Sequence, residues 1–378
     1  MIILMQSPHP WRGVRQRPHH LAVRFACRGH TVRWVEPRYI RWLAERPRDF
    51  FAARRETPEP RLHVRPVVLA NGERLGFIRA HNRYWLGRAL RHPPIQAAGP
   101  TILWLYNPHE VHLADSVPHD LLVYDIMDDY TAFPWAPRDV AREEAQLLER
   151  AHLVFAGTAA LAEARQPLSR TRIECVLSGV ETAHFAGDGG GAADGATQEL
   201  RARYRHLAGY AGMIDLRIDQ HLLLKAARRL PDWGFVLIGP VRCDVSTLRQ
   251  AENIHLLGVR NYEQLPACYR AWDAALLPFI ENELTRHINP TKMLEYAASG
   301  RPIVARSLPD VDRFYADGAW IYRHPEEFIT ALQELEQEDT PRRAERLERA
   351  RRWADERDWD RLADRMLARA GRALAARV

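Results

Sequence analysis

The 378-residue chain holds only four cysteines, Cys27, Cys175, Cys243 and Cys268, and no two stand at the spacing of a zinc or redox pair. That excludes a Cys-built metal site and a disulfide framework, and predicts reduced, buried thiols in a cytosolic protein. Lysine is scarcer still: Lys225 and Lys292 are the only two, and every other basic side chain apart from histidine is arginine. No apolar run approaches the roughly 18–20 residues that cross a bilayer. The opening Met-Ile-Ile-Leu-Met lacks a basic stretch and is too short for a signal-peptide core, so a cytoplasmic protein is expected.

With 46% hydrophobic and 27% charged residues, the composition is globular. The length suits two domains or one large one, with core enough to need no disulfide or metal staple. The formal charge of +6 is unevenly spread. Residues 1–100 carry 19 Arg against 6 Asp and Glu, a net of +13; residues 101–378 carry 35 basic against 42 acidic residues, a net of −7. A GC-rich genome accounts for arginine over lysine but not for this asymmetry. A one-sided positive field predicts an anionic partner: nucleic acid, membrane lipid or a phosphorylated substrate.

Along the chain, short apolar runs alternate with helical spacing. Ile2 to Met5, Thr31 to Val35, Thr101 to Leu105, Leu121 to Tyr124 and Leu153 to Ala156 read as strands, with helices over His19 to Arg28 and Glu143 to Arg150. Residues 187–195 are mostly glycine, alanine and aspartate, a flexible link. The alternation then restarts. Strands are predicted at His206 to Gly212, Gly234 to Gly239, Ile254 to Gly258, Ala274 to Pro278 and Pro302 to Ala305. Helices are predicted at Gln220 to Arg229, Tyr262 to Ala271 and Thr291 to Ser299, and the tail from Pro341 is charged and helical. The expected fold class is α/β, with two Rossmann-like doubly wound parallel-sheet domains facing across a cleft. The expected bounds are 1–183 for the first domain, 184–200 for the link, 201–350 for the second domain and 351–378 for a C-terminal helix packing back on the first.

The stretch Asn289-Pro-Thr-Lys-Met-Leu-Glu-Tyr-Ala-Ala-Ser-Gly-Arg-Pro-Ile-Val304 carries the most chemistry. Pro290 suits a helix start, and free amides in a first turn attract anions. Lys292 and Glu295 share a helix face. A lysine there suits a phosphate and a carboxylate one turn on suits ribose hydroxyls, a combination that fits a nucleoside diphosphate. An ordinary amphipathic helix with an i,i+3 ion pair gives the same pattern.

That run resembles the donor-binding helix of GT-B glycosyltransferases close to family 4. The likeness extends to Gly209-Tyr-Ala-Gly212, Trp233 to Pro240, Asn253 to Gly258, and Leu265 to Pro278 with Tyr269, Ala271 and Asp273. Arg17-Pro-His-His-Leu21, Gly29-His-Thr-Val32 and Tyr124 to Tyr130 resemble a subgroup of bacterial cell-surface polysaccharide transferases. The resemblance implies the GT-B fold, a nucleoside-diphosphate-sugar donor as substrate and no cofactor or metal.

It also implies roles. Glu295 matches the glutamate that binds the donor ribose. The partner glutamate that contacts the donor sugar falls at His287, so Asn289 and Thr291 are the polar groups left beside it. Lys292 is expected on phosphate or sugar. Where the family clamps the diphosphate with arginine and lysine, this chain has Met213 and, nearby, Arg217. Arg260 and Tyr262 fall where the nucleobase is held. The loop from Gln6 to Arg17 matches the first glycine-rich loop, with Gly13 on the donor side and Arg12, Arg15 and Arg17 near phosphate or acceptor. Asp128, Asp129 and His109 follow strand ends and are the catalytic candidates, although an aspartate there also suits a turn cap. A metal-binding Asp-x-Asp site is the rival reading and does not suit the two-lobed order.

Residues 38–55 and 79–91 interleave arginine with tryptophan, tyrosine and phenylalanine, which suits an anionic membrane surface. No nucleic-acid-binding module is evident. The expected protein is a glycosyltransferase of bacterial exopolysaccharide or cell-surface glycan synthesis, acting with retention on a glycan or lipid-linked acceptor. It is expected to be peripheral on the inner face of the plasma membrane. A sugar-nucleotide 2-epimerase and a non-catalytic binding protein of the same fold are the alternatives.

Overall fold

A computed structural model describes residues 1–11, 15–41, 56–72, 75–92, 98–132, 139–187, 195–286, 288–337 and 341–377. The chain divides into two units, Met1–Leu177 with Trp359–Val378, and Ser178–Asp358. The change of unit falls before the glycine-rich stretch, of which residues 188–194 lie outside the described residues. Segment 178–187 belongs to the second unit because Phe185 is buried there, its ring stacked on Tyr269 at 5.6 Å. The charged tail is two helices. Pro341–Glu356 packs Trp353 and Ala354 into the second unit, and Trp359–Ala375 packs Leu362 and Met366 into the first.

The first unit is one sheet of β1 (Ile2–Gln6), β2 (Thr31–Tyr39), β3 (Glu56–Glu59), β4 (Leu62–Leu69), β5 (Thr101–Leu105), β6 (Leu121–Ile126), β7 (Leu153–Ala156) and β8 (Ile173–Cys175). The order is β3-β4-β2-β1-β5-β6-β7-β8, parallel throughout except for the edge pair β3 and β4. Alternate residues face opposite layers, as a parallel sheet covered on both sides requires. Ile3, Met5, Trp34 and Trp104 meet Leu21 and Phe25 of helix Arg17–Cys27. Leu4, Val35 and Leu105 meet Leu86 and Leu90 of helix Gly76–Arg91 and Leu147 of helix Val140–Arg150.

Strand β2 runs past Pro37 to Tyr39, beyond the expected end at Val35. The amides of Val32 and Ile40 donate toward β4, so odd-numbered residues turn to the β1 side. β1 ends opposite Val35, so the N–H that Pro37 lacks has no strand to bond.

The second unit is an all-parallel sheet of β9 (His206–Ala211), β10 (Trp233–Ile238), β11 (Ile254–Gly258), β12 (Ala274–Leu277), β13 (Ile303–Arg306) and β14 (Trp320–Tyr322). Its order is β11-β10-β9-β12-β13-β14. The chain runs outward from β9 and then returns to β9's other side, so the topological switch lies between β9 and β12. Ligands of open α/β sheets bind at such a point, beyond the carboxyl ends of the strands. Two glycines set the packing there. A Cβ at Gly209 would sit 2.0 Å from the Trp272 ring, and one at Gly239 (φ +143°) would sit 1.9 Å from the Gly212 carbonyl oxygen.

The two doubly wound sheets are those expected. The thiols are not uniformly buried: Cys268 is, whereas Cys27 is exposed, because it ends its helix on the outer face.

Candidate functional site

In the second unit, three of the expected residues gather around the switch point. The loop after β9 carries Asp215 and Arg217, and the Arg217 carbonyl accepts the Ile280 amide at 2.8 Å, which ties this loop to the end of β12. Asp215 holds the guanidinium side-on, with Nε to Oδ1 at 2.9 Å and Nη2 to Oδ2 at 2.8 Å. Burial works against ionisation of Asp215, but hydrogen bonds and charge from Arg217 hold its carboxyl below the usual range.

Helix Lys292–Ala298 is fixed to the same point, since the Tyr296 hydroxyl accepts the Ala211 amide at 3.0 Å. Lys292 Nζ lies 3.0 and 2.8 Å from the two Glu295 carboxylate oxygens. The Tyr269 hydroxyl donates to Glu295 Oε2 at 2.8 Å. Burial, then the charge of Glu295, pushes the Tyr269 phenol far above its ordinary range, so it stays a donor. Tyr210 spans the two pairs: burial raises its phenol, and the charges of Arg217, Asp215 and Glu295 all act on it. The site therefore sets two cations, each beside its own carboxylate, around a buried tyrosine cluster.

Other expectations on this unit are corrected. In the turn that opens the helix the amides of Met293, Leu294 and Glu295 are paired with Pro290 and Thr291, so at most the Thr291 and Lys292 amides are left for an anion. Asn289 is spent inside the unit, with Nδ2 donating to Asp310 at 3.1 Å and Oδ1 accepting from the Tyr315 hydroxyl at 3.0 Å. Thr291 precedes the helix, and its hydroxyl has no hydrogen bond among the described residues. Tyr262 stacks on His184 at 4.3 Å and donates to Glu181 at 2.8 Å, so its ring and hydroxyl are committed to the adjoining helix Thr182–Ala186. Arg260 turns back onto the carbonyls of Leu257 and Val259. His287 lies outside the described residues.

In the first unit, Arg17 is corrected most sharply. It lies in the first turn of its helix, buried, with Nε 3.0 Å from both Asp125 oxygens and Nη1 donating to the Val176 carbonyl at 2.7 Å. It holds the interior of the sheet and cannot meet an acceptor from there. Arg15 is exposed, and Arg12 and Gly13 lie outside the described residues. Asp129 caps its own turn, accepting the Thr131 amide at 3.0 Å, and pairs with Arg165 at 2.6 Å. Burial opposes ionisation, but Thr131 and Arg165 hold the carboxyl below its usual range. Asp129 is thus structural. Asp128 reaches the surface beside it with no hydrogen-bond partner among the described residues, and crowding by neighbouring atoms raises its carboxyl. His109 Nδ1 lies 2.6 Å from the buried Glu143, which fixes the ring where the chain leaves β5.

Sequence reading missed the parts played by Asp215, Tyr210 and Tyr269. Tyr210 had a signal as part of Gly209-Tyr-Ala-Gly212, and Tyr269 as part of the Tyr-Arg-Ala-Trp-Asp273 segment.

Two parallel α/β sheets, with cations and carboxylates at the switch point of the second, make the GT-B fold, and the likenesses that follow support a glycosyltransferase. A family described as Glycosyl transferase-like matches residues 217–368. TuaH of Bacillus subtilis (strain 168), a candidate teichuronic acid biosynthesis glycosyltransferase, is 23% identical over 81% of this chain and 87% of its own. Among solved structures, Anabaena HepE in complex with UDP superposes with a TM-score of 0.70 at 14% identity, covering 98% of this chain and all of that one. Sucrose-phosphate synthase from Thermosynechococcus elongatus gives 0.75 at 14% identity, covering 99% of both chains. Among the described residues, no helix is long and apolar enough to cross a membrane.

Proposed function

We propose that the protein transfers a sugar from a nucleoside-diphosphate sugar to a glycan or lipid-linked acceptor in the synthesis of a bacterial cell-surface polysaccharide. One observation carries this reading: Lys292 and Glu295 stand together at the switch point, with Tyr269 orienting the carboxylate and Arg217 on the loop alongside. The complexes of HepE with UDP and with UDP-glucose, and the teichuronic acid assignment of TuaH, support a UDP-sugar and a surface polymer.

Glu295 would take the ribose hydroxyls, and Lys292 and Arg217 the diphosphate. As the bond from sugar to diphosphate breaks, negative charge grows on the leaving oxygens, and fixed cations stabilise it where it appears. The chain's own cations would serve in place of a bound metal. Thr291 remains available to a sugar hydroxyl. With retention, the acceptor attacks on the leaving-group side, and its proton passes to a leaving oxygen.

We further propose attachment to an anionic membrane through helix Gly76–Arg91. Phe77 is 73% exposed, Tyr84 56% and Trp85 41%, and the Arg88 guanidinium lies over Trp85. Exposed aromatics among arginines match the chemistry of lipid headgroups. The other basic and aromatic segment, from residue 42 to 55, lies outside the described residues.

The test is nucleoside diphosphate release from UDP-, GDP- and dTDP-hexoses, with bacterial lipid extract as acceptor. Release from one donor, lost in Glu295→Ala with unchanged thermal stability, supports the reading. No release, or equal release by both proteins, contradicts it.

A further inference from the structure

Arg217 is held on almost every side. Asp215 makes four hydrogen bonds with it: the Arg217 amide to Oδ1 at 3.0 Å, Nε to Oδ1 at 2.9 Å and to Oδ2 at 3.1 Å, and Nη2 to Oδ2 at 2.8 Å. The Arg217 carbonyl is fixed by the Ile280 amide, and the guanidinium lies over the Phe279 ring, 5.8 Å from its centroid. Only Nη1, with its two N–H donors, has no partner among the described residues. The pair is half-buried, with 30% of the Arg217 side chain and 21% of the Asp215 side chain exposed. A flexible arginine that must be ordered on binding spends side-chain entropy. Here that ordering is done in advance.

We infer that Asp215 is a positioning residue, which locks Arg217 so that Nη1 is presented to the donor's diphosphate. This rests on the donor site proposed above. The opposite role, an internal carboxylate that competes with phosphate, fits the geometry poorly. Releasing Arg217 would break the side-on pair, and the same oxygen closes the local turn through the Arg217 amide. A diphosphate meeting Nη1 leaves all four bonds intact.

The experiment is calorimetric titration of the full chain with UDP, and with uridine as the phosphate-free control. It uses the wild type, Asp215→Ala, Asp215→Asn, Arg217→Ala and the double variant Asp215→Ala/Arg217→Ala, each checked by thermal unfolding. Arg217→Ala is expected to weaken UDP binding at least tenfold. Asp215→Ala should weaken it about fivefold to tenfold, with uridine unaffected. Asp215→Asn should recover part of the loss, since an amide oxygen still accepts from the Arg217 amide and Nε, and it stands in if the alanine variant does not fold. The double variant should bind no more weakly than Arg217→Ala, because a positioning residue has nothing left to position. Equal or tighter UDP binding by Asp215→Ala, with Arg217→Ala weakened, overturns this inference alone. So does a loss shared by uridine, or one that adds in full to that of Arg217→Ala. Unchanged binding by Arg217→Ala removes Arg217 from the donor site and takes the inference with it.

Discussion

The Tyr269 hydroxyl and the Glu295 carboxylate, 26 positions apart, are joined by a 2.8 Å hydrogen bond on the oxygen that Lys292 also approaches at 2.8 Å. Tyr269 is fully buried, so it fixes where that oxygen stands before any ligand arrives. Tyr269→Phe keeps the ring and removes only the donor. A hydrogen bond to a charged group contributes about 1.5–3 kcal/mol. The expected result is roughly tenfold or greater weakening of nucleoside diphosphate binding with the fold retained, read by calorimetry. Wild-type affinity in that variant would show that the hydroxyl does not orient the carboxylate.

Arg17 and Asp125 form a buried pair with side chains 2% and 0% exposed. Removing one partner of such a pair strands the other charge, at a cost of about 3–5 kcal/mol. Arg17→Met should therefore lower stability by that amount in denaturant unfolding, and Arg17→Met/Asp125→Leu should be more stable than Arg17→Met. A loss under 1 kcal/mol in the single variant would instead restore Arg17 as a surface cation.

His9 is pushed down to about 4, by burial first and then by the charge of His19. The folded state holds this ring neutral, while the unfolded chain protonates it near pH 6.5. Its contribution to stability is therefore complete above about pH 6.5 and is lost as the pH falls toward 4, by up to about 3 kcal/mol. His9→Phe should flatten that part of the stability curve. Parallel curves for the two proteins between pH 4 and 7 would refute the assignment.

The exposed face of helix Gly76–Arg91 predicts sedimentation with anionic vesicles at low salt and release at high salt, where charge is screened. Phe77→Ser/Trp85→Ser should cut the bound fraction about tenfold or more, since burying each ring in an apolar phase contributes roughly 1.5–3 kcal/mol. Failure of the wild type to sediment, or equal binding by the variant, removes this surface.

How much was legible follows from where each signal lies. Unbroken apolar runs such as Thr101 to Leu105 and Leu153 to Ala156 gave strand bounds matching the structure, because a strand buried on both faces must be apolar at every position. Strand β4 breaks that pattern with Arg65 and Pro66, and β2 outlasts Pro37; only the neighbouring strands decide where a missing N–H is harmless. Lys292 and Glu295 were legible because three positions along a helix suffice to pair them. Tyr269 reaches the site through folding, from the helix Leu265–Arg270 that precedes β12, and no spacing shows its bond to Glu295. Arg17 misled because it stands near Arg12 and Arg15 in sequence, yet its place in a helix first turn carries it inward to Asp125. Asn289 lies three residues before Lys292 but faces Asp310 and Tyr315.

The central claim is that the Lys292 and Glu295 pair binds a nucleoside diphosphate, and calorimetric titration with UDP, GDP and dTDP tests it most directly. One of the three should bind with one-to-one stoichiometry, and Glu295→Ala should lose that binding by a hundredfold or more while unfolding at the wild-type temperature. Binding by none of the three, or equal binding by wild type and variant, would contradict the account.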